Sequence, residues 1–190
     1  MERVPPSEDT DAELLGRCRL GDEEAFDVLV LRHQQRAFNV AFQLLRDHED
    51  AREVAQDAFV GIYRNLDRFR GECEFTTWLH QIVVNLARNK YRWWKRRGRQ
   101  QAVSLDDPQA AQVAGTTALP DAQAIKAEFV QRLTEKMTEL PEEFREVLVL
   151  RNVEDMSYQQ IAVALQCPVG TIKSRIARAR DALREQMNHD

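Results

Sequence analysis

Two stretches of this chain carry side chains whose types and spacing suit the binding of nucleic acid. From Arg88 to Arg99, RNKYRWWKRRGR, seven of twelve residues are basic and none is acidic. Cations in such a run hold phosphates, and Tyr91, Trp93 and Trp94 supply rings on which unstacked bases can lie. The second stretch is Ser157 to Leu183, SYQQIAVALQCPVGTIKSRIARARDAL. Its later part places Val169, Ile172, Ile176, Ala179 and Leu183 at spacings of three and four, so they share one helix face. The opposite face carries Gly170, Ser174, Ala177, Arg178 and Asp181, flanked by Lys173 and Arg175. Small residues let a helix approach a groove closely. Arginine reaches base acceptors in the major groove, and lysine reaches phosphates. Each stretch has a plainer reading. Trp93 and Trp94 serve equally well as core plugs, and the helix pair as an amphipathic hairpin with a solvated basic face.

Other chemistries find no support. The sequence has no phosphate-binding glycine loop, no metal-ligand spacing and no nucleophile motif, so neither an enzyme nor a resident cofactor or metal is expected. Cys18, Cys73 and Cys167 lie far apart and are odd in number, which suggests no disulfide framework and fits a reduced, cytoplasmic setting. No apolar run approaches ~20 residues, so no membrane span is expected. The acidic start, MERVPPSEDTDAE, does not read as a signal peptide. The net charge of −4 argues weakly against a nucleic-acid binder, but a local basic patch is the relevant footprint.

The elements that must position these groups read as helices. Hydrophobic residues make up 43% and charged residues 31% of the 190, and seven Gly with six Pro leave little punctuation for a many-stranded fold. Met1 to Thr10 reads as a frayed tail. Asp11 to Leu20 is a short helix with Leu14, Leu15 and Cys18 inward, ended by Gly21. Asp22 caps a long helix with Phe26, Leu29, Val30, His33, Ala37, Val40, Ala41, Leu44 and Leu45 inward, and His33 reads as a packed core histidine. Asp47 to Asp50 starts a helix running to about Phe69. Its stripe is Ala51, Val54, Ala55, Ala58, Phe59, Ile62, Leu66 and Phe69. Its outer face holds Glu53, Gln56, Asp57, Val60, Arg64 and Asp67. Val60 is either a lone exposed valine or the centre of a protein-binding face.

Arg70 to Phe75 is a loop turning at Gly71, and Thr76 or Thr77 caps the following helix. There Trp78, Leu79, Ile82, Val83 and Leu86 face inward, and His80, Gln81, Val84, Asn85, Arg88 and Arg92 outward. A linker-like stretch follows, rich in Ala, Gln, Asp, Pro and Thr. A helix from about Ile125 has Phe129, Val130, Leu133 and Met137 inward. Pro141 opens another, with Phe144, Val147, Leu148 and Leu150 inward. Ser157 and Gln160 then form a capping box, Gln166 and Cys167 break the run, and Pro168 starts the last helix. The expected fold is all-α. Two small helical domains, 11–96 and 125–190, flank a linker at 97–124. One suits single strands and the other a duplex groove, which suggests promoter opening.

The stretch DAREVAQDAFVGIYRNLDRFRGECEFTTWLHQIVVNLARNKYR, Asp50 to Arg92, resembles the second conserved domain of bacterial RNA polymerase sigma factors. Leu140 to Glu185, LPEEFREVLVLRNVEDMSYQQIAVALQCPVGTIKSRIARARDALRE, resembles their fourth domain. The chain is too short for further sigma domains, so it resembles the extracytoplasmic-function (ECF) group, near its envelope-stress members. This resemblance implies an alternative sigma factor of a stress response that binds core polymerase and opens promoters. It implies that Glu53, Gln56, Asp57, Val60 and Arg64, on a helix spanning 53–66, meet the clamp of the largest polymerase subunit. The fourth domain would meet the flap of the second subunit. Arg70, Gly71, Glu72, Cys73, Asn85, Arg88, Arg92 and Lys95 would hold the opened minus-ten strand, one base being flipped into a pocket at the loop. Lys173, Ser174 and Arg178 would read the minus-thirty-five duplex, with Thr171 and Arg175 on phosphates. An anti-sigma factor, membrane-associated in many members, is the implied inhibitor. Glu72 and Glu74 depart from a simple DNA-binding loop, since carboxylates near DNA are unfavourable unless they accept from a base amino group. Without the resemblance, the competing reading is a freestanding helix-turn-helix regulator that dimerises on a palindrome.

Overall fold

The computed structural model describes residues 9–98 and 132–188, and among them every regular element is helical. The expected linker beyond Gly98 and the expected inward residues Phe129 and Val130 lie outside the described residues, as do residues 1–8. The first unit comprises α1 (Asp11–Arg19), α2 (Glu23–Leu45), α3 (His48–Arg64) and α4 (Phe75–Arg96). The second comprises α5 (132–139), α6 (Glu142–Asn152), α7 (Tyr158–Ala164) and α8 (Val169–Asn188).

Local chemistry sets most boundaries. Thr10, read as the last residue of a frayed tail, instead caps α1 in a capping box with Glu13. Asp22 accepts from the Ala25 amide and Asp47 from the Asp50 amide, fixing the starts of α2 and α3. Between them the chain reverses through Arg46, which takes the left-handed conformation at φ 57° as its amide donates back to Phe42.

Two expected boundaries move. α3 stops at Arg64 instead of reaching Phe69, because the Asn65 amide side chain donates to the Gly61 carbonyl and Leu66–Arg68 turn separately as a 3₁₀ element. The expected 53–66 binding helix is thus broken before Leu66. α4 begins at Phe75 behind Glu74, and neither Thr76 nor Thr77 caps it; Thr77 is buried within its first turn.

The first core is built from the expected stripes. Leu29, Ala37, Val40, Ala41, Ala51, Ala58, Ile62, Leu79 and Val83 are all fully enclosed. Alanines along α2 and α3 bring those helices close together. Trp78 stacks on Phe69 at 4.8 Å between ring centroids and meets Phe75 edge-on at 6.4 Å, so it closes the core as expected.

In the second unit the run from Arg145 to Leu150 is buried without a break, so the middle of α6 is enclosed nearly all round and must be covered on every side. α7 and α8 cover one side. α2 and α4 of the first unit cover the other, with α2 against α6 and α4 against α7. The two units are therefore packed together.

Candidate nucleic-acid interface

The helix-turn-helix forms as the residues require. Ser157 Oγ accepts from the Gln160 amide at 3.2 Å, and Gln160 Oε1 accepts from the Ser157 amide at 2.8 Å. The turn passes through Gln166 in the left-handed conformation, φ 53°, and Pro168 precedes α8. Ile172, Ile176 and Ala179 bury one face of α8 and hold it on α6 and α7. The other face is open: Gly170, Lys173, Ser174, Ala177, Arg178 and Asp181 are exposed. Ser174 donates to the Thr171 carbonyl at 2.9 Å, which leaves its oxygen lone pairs outward. Arg175 differs, being half-buried and paired with Glu143 at 2.7 Å. Its guanidinium is anchored to α6, so it braces the recognition helix as much as it offers a charge to phosphate.

The basic end of α4 divides its aromatics. Trp94 is buried and Trp93 is exposed, with the Arg97 guanidinium 4.3 Å from the Trp93 ring centroid. One ring is core and the other is available for stacking. Arg92, Lys95, Arg96 and Arg97 are exposed alongside it.

The start and middle of α4 differ from the expected polar face. His80 and Val84, read as outward, are buried beneath the second unit. Helical periodicity cannot show that another element will cover a face. Asn85 remains exposed, but Arg88 is half-buried and makes a two-pronged pair with Glu146 of α6, one prong being Nη2 to Oε2 at 2.5 Å. Glu146 is only 1% exposed, and burial lifts its carboxyl above the usual carboxylate range despite Arg88.

The loop Arg70 to Glu74 projects Arg70, Gly71, Glu72 and Glu74 into solvent, with Gly71 at φ 75°. Cys73 is half-buried. Burial, then Glu72 and Glu74, push its thiol up, so it is a poor nucleophile.

A third surface lies on the outside of α2 and α3. Phe26, Val30, Phe38, Phe59, Val60 and Tyr63 line an open groove of about 910 Å³ rimmed by Arg52, Gln56 and Arg64. Tyr63 meets Phe26 edge-on at 5.0 Å. Val60 and Tyr63 are exposed large side chains, so Val60 is no isolated valine. Glu53 sits beside this groove but is tied to Lys90 of α4 at 2.7 Å, with Asp50 on the same ammonium at 2.9 Å. Burial alone lowers the Lys90 ammonium, yet the two carboxylates outweigh it and hold its pKa above the ordinary value.

Sequence reasoning missed the groove's aromatic lining from α2 and the polar side chains between the units. Arg145 and Glu146 stand immediately before four consecutive apolar residues. That context is the signal that they too are enclosed. His33 is the expected core histidine: it is buried, with Nε2 2.8 Å from Asp11 Oδ2.

Comparison with known proteins follows the same division. The family described as Sigma-70 region 2 matches residues 29–99, and Sigma-70 region 4 matches 130–183. The chain is 37% identical to the RNA polymerase sigma-H factor of Pseudomonas aeruginosa over 93% of both chains. It is 35% identical to the ECF RNA polymerase sigma-E factor of Escherichia coli over 92% of both. Among solved structures, CnrH in complex with the cytosolic domain of CnrY superposes with a TM-score of 0.71 at 27% identity, covering 96% of this chain and 99% of that one. The fold is shared with the sigma factor RpoE in complex with the anti-sigma factor NepR from Bartonella quintana, at a TM-score of 0.65 and 24% identity over 87% of this chain and 98% of that one.

Proposed function

This chain belongs to the ECF sigma factors, which direct RNA polymerase to promoters and are not themselves catalytic, and on that premise we propose how its surfaces divide the work. Domain 11–96 engages core polymerase and the opened minus-ten strand, 97–124 links, and 125–190 reads the minus-thirty-five duplex. The α2–α3 groove around Gln56, Val60 and Arg64 receives the clamp of the largest subunit, with Asp57 at its edge. Its exposed aromatic and aliphatic lining supports this, since a contiguous apolar patch marks a protein contact. The second domain meets the flap of the second subunit.

Promoter DNA is held at two places. Lys173, Ser174 and Arg178 read base edges from α8, with Thr171 and Arg175 on the backbone. Arg92, Lys95 and the Trp93 ring, with Asn85, Arg88 and the loop Arg70 to Cys73, hold the melted strand. The observation that carries this reading is the exposed basic and aromatic end of α4 in the same chain as an open recognition helix. A freestanding duplex-binding regulator has no use for the former. An anti-sigma factor, anchored at a membrane, is the proposed inhibitor. The solved complex of CnrH, 27% identical, with the cytosolic domain of CnrY supports a protein partner of this kind. The resemblance to envelope-stress members supports a stress regulon, with the factor acting in the cytoplasm.

Reconstitution with core polymerase tests the assignment. The chain directs initiation from one promoter class. Arg178→Ala weakens promoter binding, whereas the double variant Arg92→Ala and Lys95→Ala leaves promoters bound but less reactive to permanganate. A chain that dimerises on a palindrome and never joins core polymerase contradicts this reading.

A further inference from the structure

Besides Arg145, whose Nη1 donates to the Leu44 carbonyl at 2.9 Å, three side-chain contacts join the two units, each reaching α4 or the residue that precedes it. At the start of α4, Gln160 Nε2 donates to Glu74 Oε2 at 3.0 Å. Nearly two turns on, Glu154 reaches across from the segment after α6: its Oε2 lies 3.1 Å from His80 Nε2 and 2.9 Å from Nε of Arg36 on α2. Two turns further, Glu146 grips Arg88 with both oxygens. The Glu146 and Glu154 side chains are 2% and 5% exposed, so both carboxylates are removed from water and each faces cations of the other unit. The packing between is close. A void bordered by Leu45, Ala87, Tyr91 and Glu146 has a volume of about 10 Å³, the room of one water molecule at most.

We propose that this seam is a self-masking latch, in which Glu146 occupies the Arg88 guanidinium that the opened DNA strand must otherwise contact. The proposal rests on the reading of Arg88 as a strand-binding residue. A carboxylate offers a guanidinium the same planar pair of acceptor oxygens that a phosphate does, so Glu146 competes directly with nucleic acid for that fork. The masking is selective. α8 keeps Lys173, Ser174 and Arg178 open, and the α2–α3 groove is open as well. The latched chain therefore retains its duplex-reading and polymerase-binding faces, and of the proposed strand contacts it masks Arg88, while Asn85, Arg92, Trp93 and Lys95 stay exposed beside the seam. Separation of the units during docking frees the Arg88 fork where it is used.

The test uses the free full-length chain and two independent readouts. Small-angle scattering gives the radius of gyration, and fluorescence anisotropy gives affinity for a short labelled DNA single strand of mixed sequence and for the matching duplex. Glu146→Gln weakens the latch, and Arg88→Glu sets like charges against each other. Both variants expand the chain, and the swap combining Arg88→Glu with Glu146→Arg compacts it again. Glu146→Gln also raises single-strand affinity by at least about threefold, because apparent affinity scales with the open, competent fraction. Duplex affinity stays within about twofold, since α8 is already open. An unchanged radius in both Glu146→Gln and Arg88→Glu overturns the latch. Expansion with no gain in single-strand affinity instead removes the reading of Arg88 as a strand contact, and the masking with it. Should Glu146→Gln lose helicity by circular dichroism, Glu154→Gln replaces it and carries the same expectations.

Discussion

Arg145 is the residue whose loss this architecture should tolerate least. It lies on α6, is 2% exposed, and directs its guanidinium at carbonyls. Nε donates to Met137 at 3.1 Å, Nη2 to Thr138 at 2.6 Å and to Leu140 at 3.3 Å, and Nη1 to Leu44 at 2.9 Å. Met137 and Thr138 are in the last turn of α5, and Leu44 is in the last turn of α2. Terminal carbonyls of a helix have no partner within it and carry its negative dipole end. One cation thus caps two helices from different units, and it also lies 5.5 Å from the Tyr91 ring centroid. Arg145→Met keeps much of the volume but removes every donor. A buried acceptor left unpaired costs about 1–3 kcal/mol, and four are involved. Part of that returns as carbonyls find water and as the burial of a charge is relieved. The expected net loss is about 3 kcal/mol, a large share of the ~5–15 kcal/mol that holds a domain folded. Urea denaturation followed by circular dichroism reads this as a lower midpoint at unchanged slope. Arg145→Lys should recover less than half, because an ammonium on one stem cannot span carbonyls from two helices. A loss below about 1 kcal/mol for Arg145→Met refutes the double cap, since that is the scale of one ordinary hydrogen bond.

Ser157→Ala breaks the capping box of α7 and should lower stability by about 1 kcal/mol, read from the urea midpoint; no change means that α8 alone positions the hairpin. Val60→Asp places a carboxylate in the α2–α3 groove, where contact with a partner must dehydrate it. Capture of core polymerase should fall by at least about tenfold with helicity unchanged, and undiminished capture excludes this groove as the docking face. Burial lowers the pKa of His33, with Asp11 opposing. The unfolded chain therefore takes up this proton first as pH drops below about 6.5, so the stability His33 confers is full above that value and declines as pH falls through the lower folded pKa. Urea midpoints should drop on acidification, and His33→Leu should flatten part of the drop; an identical pH profile in that variant shows that other groups carry the sensitivity.

The first unit was largely legible because its helices bury faces against near neighbours in sequence. The α2 and α3 stripes read from spacing are enclosed residue for residue, apart from the half-buried Phe26, Val30 and Phe69. Caps at Asp22 and Ser157 were legible for a related reason: each is completed within three residues by a backbone amide, as is Asp47 at the acidic start read for α3. The stop at Arg64 was not, because Asn65 ends the helix through a side-chain bond to the Gly61 carbonyl, for which its spacing gives no distinct signal.

α4 shows where that legibility runs out. Its spacing correctly sends Leu79 and Val83 into the first core, and the same logic assigns His80, Val84 and Arg88 to solvent. The structure encloses the first two and half-buries the third, because their cover arrives from α6 and α7 some sixty residues later. Yet the covering surface left a trace in its own stretch. Arg145 and Glu146 adjoin an apolar run that leaves α6 without a wet side, and buried charges persist only where they are paired. An enclosed acid on α6 therefore required a cation from elsewhere, and the latter half of α4 is rich in them. Only Arg88, two turns beyond His80 on the covered face, meets it. Of the α4 residues proposed to hold a DNA strand, Arg88 receives this carboxylate, while Asn85, Arg92, Trp93 and Lys95 stay exposed, so the seam meets the proposed binding face at Arg88.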